Sequence, residues 1–149
     1  MKETYHNLYI LINLKLVRKD QNGKVKFKLG PYNYLKHCTI KSKPEAFENW
    51  IKDRASKYVY DLKEEKTMSY EWHLSEDRKE ASLIEIFEDS DGAVQRLKNH
   101  SESPIASEVL EHVNIKSVHC FGNAKKDLIE IFSAWGAQFQ IHFCGFKHN

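Results

Sequence analysis

Histidines and carboxylates on strand-like segments are the residues of this chain best suited to chemistry. Glu71 and His73 flank Trp72 in the run Tyr70-Glu71-Trp72-His73. Successive side chains of a strand point to opposite faces, so this carboxylate and imidazole share a face. A histidine titrates near neutral pH and can remove a proton from a substrate, and a neighbouring carboxylate stabilises the imidazolium that forms. His37 and His119 lie in two further strand-like segments and complete a candidate catalytic set of His73, Glu71, His119 and His37. Glu85, Phe87 and His100 follow in and after the next strand and are candidates for contacting a substrate, together with Tyr70 and Trp72.

Other chemistries find less in the sequence. The chain has eight His but no H-x-x-x-H, H-E-x-x-H or paired-Cys spacing, so no metal site is expected. Its six Gly are dispersed and form no phosphate-binding loop, and no G-x-S-x-G elbow occurs. Nucleotide-dependent and serine-hydrolase chemistries are therefore not expected. Twenty-three basic and 21 acidic residues leave a formal charge of +2, well mixed along the chain, without the basic stripe that nucleic-acid binding needs. The basic run Lys24-Val25-Lys26-Phe27-Lys28 alternates with apolar residues, as a half-buried strand does.

The 149 residues, 41% hydrophobic and 30% charged, suit a single globular domain. The apolar stretch 8–16 is interrupted by Asn13 and Lys15 and is too short to span a bilayer. Cys38, Cys120 and Cys144 make neither a C-x-x-C pair nor an even set, so reduced thiols and a cytoplasmic location are expected.

Several elements position the candidate residues. Segments 8–12 and 25–29 are β-rich and flank Asn22-Gly23, a tight-hairpin signal, and Gly30-Pro31 ends that unit. Segment 37–41 is a short strand. Pro44 suits a helix first turn, and Phe47, Trp50, Ile51, Ala55, Tyr58 and Val59 recur at helical spacing. Met68, Tyr70, Trp72 and Leu74 alternate against Ser69, Glu71 and His73 and should pack beneath helices. In the partner strand Leu83, Ile84, Ile86 and Phe87 occupy both alternations, which predicts a central strand covered on both faces and leaves the facing of Glu85 open. Ala93, Val94 and Leu97 mark a helix, and Ser103-Pro104 opens another carrying Ile105, Ala106, Val109, Leu110 and Val113. Segment 118–121 is a strand. Asn123 is the expected cap of a last helix bearing Leu128, Ile129, Phe132 and Trp135 and ended by Gly136, and segment 138–146 is the closing strand.

From residue 37 the order is β-α-β-β-α-(α)-β, a ferredoxin-like split arrangement in an α+β protein. Tyr70-Glu71-Trp72-His73 with Ser75-Glu76-Asp77, the Ile86-Phe87-Glu88-Asp89 run into a helix, and the later Phe121-Gly122 and Cys144-Gly145-Phe146 resemble the antibiotic biosynthesis monooxygenase-like family of the dimeric α/β-barrel superfamily. The resemblance covers about residues 37–146. It implies a homodimer whose antiparallel sheets face one another, which would cover the second face of the central strand. It also implies a cavity there for a small, aromatic molecule and oxidation by molecular oxygen without metal or flavin. The domain is then one unit, 1–149, with a β-hairpin extension at 1–34 and the monooxygenase-like core with a helix-strand extension at 35–149. The family's haem-degrading branch uses an Asn, Trp and His set. This chain has His37, Phe87 and, only roughly, His100 at the matching places, so haem degradation is not expected. A non-catalytic ligand-binding or dimerisation module of the same fold is the alternative.

Overall fold

The computed structural model describes residues 31–145, together with the backbones of two short strands before them. Those two strands, β1 (Val17–Lys19) and β2 (Val25–Phe27), pair antiparallel around the Asn22-Gly23 segment. Segment 8–12, the expected first strand of this hairpin, lies outside the described residues.

A five-stranded mixed sheet follows, built from β3 (Tyr32–Ile40), β4 (Thr67–Leu74), β5 (Glu80–Phe87), β6 (Val113–Phe121) and β7 (Gln138–Gln140). Its order is β4-β5-β3-β6-β7, antiparallel except for the parallel pair β6-β7. The fold is therefore α+β. Four helices are described: α1 (44–61), α2 (Ser90–Ser101), α3 (Ile105–His112) and α4 (Lys126–Ser133). Among the described residues no helix is long and apolar enough to cross a membrane.

Helix α1 opens on Pro44, whose missing N–H would have no partner in a first turn, and its middle turns, Trp50–Ala55, widen to π geometry. Phe47, Trp50, Ala55 and Val59 are its buried stripe, at the spacing the sequence predicts. Helix α2 is capped by Asp89, whose carboxylate accepts the Gly92 N–H at 3.0 Å. The expected cap of α4, Asn123, is not used: the cap position is Lys125, and its N–H is taken by the Ser90 hydroxyl at 3.0 Å, a tie between two helix starts that no local spacing reveals.

All four helices contribute to one side of the sheet, in two apolar clusters. One gathers Tyr32, Tyr34, Phe87, Ala93, Leu97, Val118, Cys120, Leu128 and Phe132. The other gathers Cys38, Phe47, Trp50, Ala55, Ala81, Ile105 and Val113. Strict alternation in β3 and β5 sends Tyr32, Tyr34, Lys36 and Cys38, and Ala81, Leu83, Glu85 and Phe87, to this covered side.

Several expectations are corrected. Val113, expected on the helix after Ser103-Pro104, opens strand β6, which starts there rather than at residue 118, and Leu74, expected beneath the helices, is 38% exposed. Strand β3 begins at Tyr32 rather than at residue 37, because the alternation of Tyr32, Tyr34, Lys36 and Cys38 carries its pairing with β5 back that far. Met68 is 63% exposed, because a bulge between Thr67 and Ser69 takes it out of the alternation that buries Tyr70 and Trp72. The closing strand is three residues long, and Ile141 and Phe143 beyond it are exposed.

Helix α2 crosses close to the loop before β4. A Cβ added at Gly92 would lie 2.8 Å from Lys66 Cβ and 3.0 Å from the Lys66 carbonyl oxygen. Alanine is favoured over glycine in a helix by about 1 kcal/mol, yet overpacking against a fixed backbone costs about 1–3 kcal/mol. Gly92→Ala is therefore expected to lower the urea midpoint of unfolding, and a raised midpoint would show that the crossing can yield.

Candidate functional site

The sheet divides the nine residues singled out in the sequence between its two faces. Glu71, His73, His37 and His119 lie on the face that no described helix covers. Tyr70, Trp72, Glu85, Phe87 and His100 lie on the helix-covered side.

On the uncovered face, strand register sets out rows of side chains. His73, Ser82, His37 and Ser117 form one row across β4, β5, β3 and β6, and Glu71, Ile84, Leu35 and His119 form the next. A third row holds Ser69, Ile86, Asn33 and Phe121. His73 Nε2 is 3.6 Å from Glu71 Oε2, with both side chains more than half exposed. His37 Nδ1 stands 3.3 Å from the Ser82 hydroxyl, and its Nε2 is 3.8 Å from Glu80 Oε1. His119 stacks on Phe121 and stands three strands from Glu71, roughly 14 Å at the usual spacing of a sheet. The face thus has ionisable groups at the β4 side and again at His119, with Ile84, Ile86 and Leu35 between them and Asn33 separating Ile86 from Phe121.

The covered side buries a polar seam. Glu85, 2% exposed, accepts from the Tyr34 hydroxyl and from Arg96 Nε at 3.2 Å. Arg96 reaches on through a terminal nitrogen to Glu64 Oε1 at 3.3 Å. Glu64 also accepts from Asn99 at 2.7 Å and from the Thr67 hydroxyl at 2.6 Å. Tyr70 lies beneath the Arg96 guanidinium, 5.7 Å from ring centre to Cζ, and accepts the Trp72 indole N–H at 2.9 Å. Trp72 packs edge-on against Phe47 of α1, and Phe87 packs against Tyr34.

Burial governs the charges in this seam. It pushes the Glu85 carboxyl up to about 7, with Arg96 pulling the other way. It pushes the Lys36 amine down to about 8. His100, at the end of α2, is brought down to about 4, first by burial and then by the positive charges of Lys36 and Arg96. Lys36, Tyr34, Arg96 and Glu64 were not singled out from sequence, although a signal existed. Lys36 sits in the alternation Tyr32, Tyr34, Lys36, Cys38, and Arg96 and His100 share the helical stripe of Ala93 and Leu97.

Among the described residues no group of three or more His, Cys, Asp or Glu could hold a metal ion. No protein-family model matches the chain, and no curated protein sequence does. Solved structures do. MupZ from Pseudomonas fluorescens superposes with a TM-score of 0.67 at 18% identity, over 80% of this chain and 95% of that one. A conserved protein from Methanosarcina mazei Go1 gives 0.44 at 17% identity, over 66% of this chain and 96% of that one. The likeness to MupZ is one of fold.

Glu85 and His100 oppose one another in their effect on stability. Between pH 4.5 and 6.5 the folded chain carries an extra proton at Glu85, whose folded value lies above its ordinary 4.5. It lacks one at His100, whose folded value lies below its ordinary 6.5. The first makes stability fall as pH rises and the second makes it rise. His100→Gln removes the second, so its urea midpoint should fall relative to that of the parent chain as pH goes from 5 to 7. Parallel midpoint profiles would mean that His100 is not held neutral in the fold.

Proposed function

We propose that the chain acts as a homodimer of ferredoxin-like subunits whose uncovered sheet faces enclose a small aromatic molecule, and that it oxidises this molecule with oxygen and no cofactor. Three features support the fold part of the reading. The four long strands, in chain order β3, β4, β5, β6, lie as second-third-first-fourth; α1 follows the first, and α2 with α3 follows the third. This is the arrangement that a split βαββαβ unit requires.

The observation that carries the reading is the face that no described helix covers. Ile84, Ile86 and Leu35 form an apolar block beside the Glu71–His73 pair, and such a block is stabilised by burial at about 25 cal/mol per Å². A second copy of the same face supplies the cover, and two-fold pairing is the commonest way in which subunits do this. The chamber so formed is apolar, with an imidazole at its edge. Buried Cys38 and Cys120, both unpaired, suit a reducing cytoplasm.

Within such a chamber His73 takes the acidic proton of a phenol or anthrone, and Glu71 holds the imidazolium. The electron-rich anion gives an electron to oxygen, the radical pair joins at carbon, and the hydroperoxide loses water. A methylene and O2 thus become a carbonyl and H2O, with no further reductant. The apolar wall keeps bulk water from quenching the anion.

The alternative is a non-catalytic binding or dimerisation module. It is favoured if the central residues Ile84 and Leu35 of two copies interlock and leave no room between the sheets.

Two measurements test the proposal. Ile84→Arg places a charge in the middle of the shared face and should convert a dimer to a monomer in sedimentation velocity; a parent chain that already sediments as a monomer overturns the dimer. His73→Ala should lower turnover of quinols and anthrones under oxygen by about a hundredfold, in the range of a lost general base. Unchanged turnover would remove His73 from the mechanism, and no turnover by the parent chain favours the module.

A further inference from the structure

The side chain of Lys36 is the least explained charge in the molecule. It is 8% exposed, and its amine faces rings rather than a described carboxylate. An ammonium taken out of water is unfavourable unless something accepts from its three donors. The groups around it come from every layer of the covered side. Tyr34 and Cys38 flank it on β3, Cys120 is on β6, and Arg96 and His100 act on it from α2. Burial raises both thiols, which therefore stay uncharged near neutrality. The carboxylates of the seam, Glu85 and Glu64, are both engaged by Arg96.

The amine lies instead between two rings, 5.0 Å from the centre of Tyr34 and 5.0 Å from that of Trp135. Phe132 joins these rings, with centroids 5.0 Å from Tyr34 and 5.5 Å from Trp135. The outer ring differs from the others: Trp135 is 46% exposed, in the turn after α4. Gly136 beside it is in the left-handed region at φ 69°, and a Cβ there would meet nothing within 4 Å. The lid over the amine is thus one half-exposed indole on an unpacked turn.

We propose that Lys36 anchors a small aromatic carboxylate, which takes the place of the Trp135 ring over the amine. The exchange replaces a cation–π contact with a desolvated ion pair, and the ligand's ring stays in contact with Tyr34 and Phe132. His100 provides a second donor close by. A single negative charge suits the place better than two, because Glu85 and Glu64 lie in the same seam and repel excess charge. Lys36 is on the opposite side of the sheet from the Glu71–His73 pair, so binding there does not depend on the proposed oxidation.

Benzoate is the probe, with benzyl alcohol as its uncharged counterpart. The three Trp give three indole N–H resonances in a 1H–15N spectrum, and Trp135→Phe identifies that of Trp135. Benzoate is expected to shift the Trp135 resonance saturably, with a Kd on the order of 1 mM, and benzyl alcohol is not. The affinity should fall roughly tenfold or more between pH 7.5 and 9.5 as the amine loses its proton. Lys36→Met, an apolar replacement of similar length, should abolish the shift, and His73→Ala should leave it intact. Equal binding of benzyl alcohol, binding unaffected by Lys36→Met, or a shift lost in His73→Ala would each overturn the proposal, the last by placing the ligand on the uncovered face. Should Lys36→Met not fold, the parent chain's pH series and the comparison of the two probes decide the matter.

Discussion

The Arg96 guanidinium, held between Glu85 and Glu64 inside the core, is the constraint on which the covered side of this fold depends. It joins helix α2, the inner strand β5 and the loop before β4. Such a bridge adds little net stability compared with well-packed apolar residues, but removing one partner strands a buried charge at a cost of about 3–5 kcal/mol. Its effect is on which arrangement is allowed. A slip of β5 by one residue would send Glu85 to the uncovered face and bring Ile84 and Ile86 against Arg96. The slipped arrangement leaves the guanidinium with Glu64 alone and its Nε without an acceptor, so the contact with Glu85 favours the observed register.

Around that bridge the covered side is filled by groups that suit one another in charge as well as in shape. Tyr34 donates to Glu85 and packs on Phe87 and Phe132, so a single side chain serves the polar seam and the larger apolar cluster. Tyr70 accepts from Trp72 and supports Arg96 from below. Because these contacts use both the ring and the hydroxyl, neither tyrosine is replaceable by phenylalanine without leaving a donor or acceptor unmatched. Lys36 differs in facing rings rather than a described carboxylate.

Legibility in the sequence followed how local each cause was. The helix from Pro44, with Phe47, Trp50, Ala55 and Val59 inward, and the β4-β5 hairpin could be read directly, since spacing and alternation are properties of a single segment. Glu85 could not be assigned to a face: Ile84 and Ile86 are apolar too, and the alternation of β5 alone gives no preference. The deciding fact is Arg96, eleven residues on and buried on α2, which a strand pattern cannot show. Met68 was misplaced by a bulge and Asn123 by the Ser90 hydroxyl, both contacts that exist only once the chain is folded. The His and Glu candidates were legible as a face but not as a site. Alternation brings Glu71 beside His73, whereas only strand order reveals that His37 is two strands from His73 and that His119 is off toward the other edge.

The two sides of the sheet are not independent, because alternate residues of the same strands serve both. His37 lies between Lys36 and Cys38, and Ser82 lies between Ala81 and Leu83, so each residue of the His73-Ser82-His37 row has covered-side neighbours one position away. Strands β3 and β5 cannot change register to suit the uncovered face without tearing Tyr34 from Glu85 and Glu85 from Arg96. The loss of those buried pairs exceeds what exposed groups such as Glu71 and His73 can contribute, since ion pairs of that kind are worth about 0–1 kcal/mol. The positions of the ionisable groups on the open face are therefore dictated from the core: the bridge that settles where Glu85 points also settles that His37 stands beside Ser82 and in line with His73.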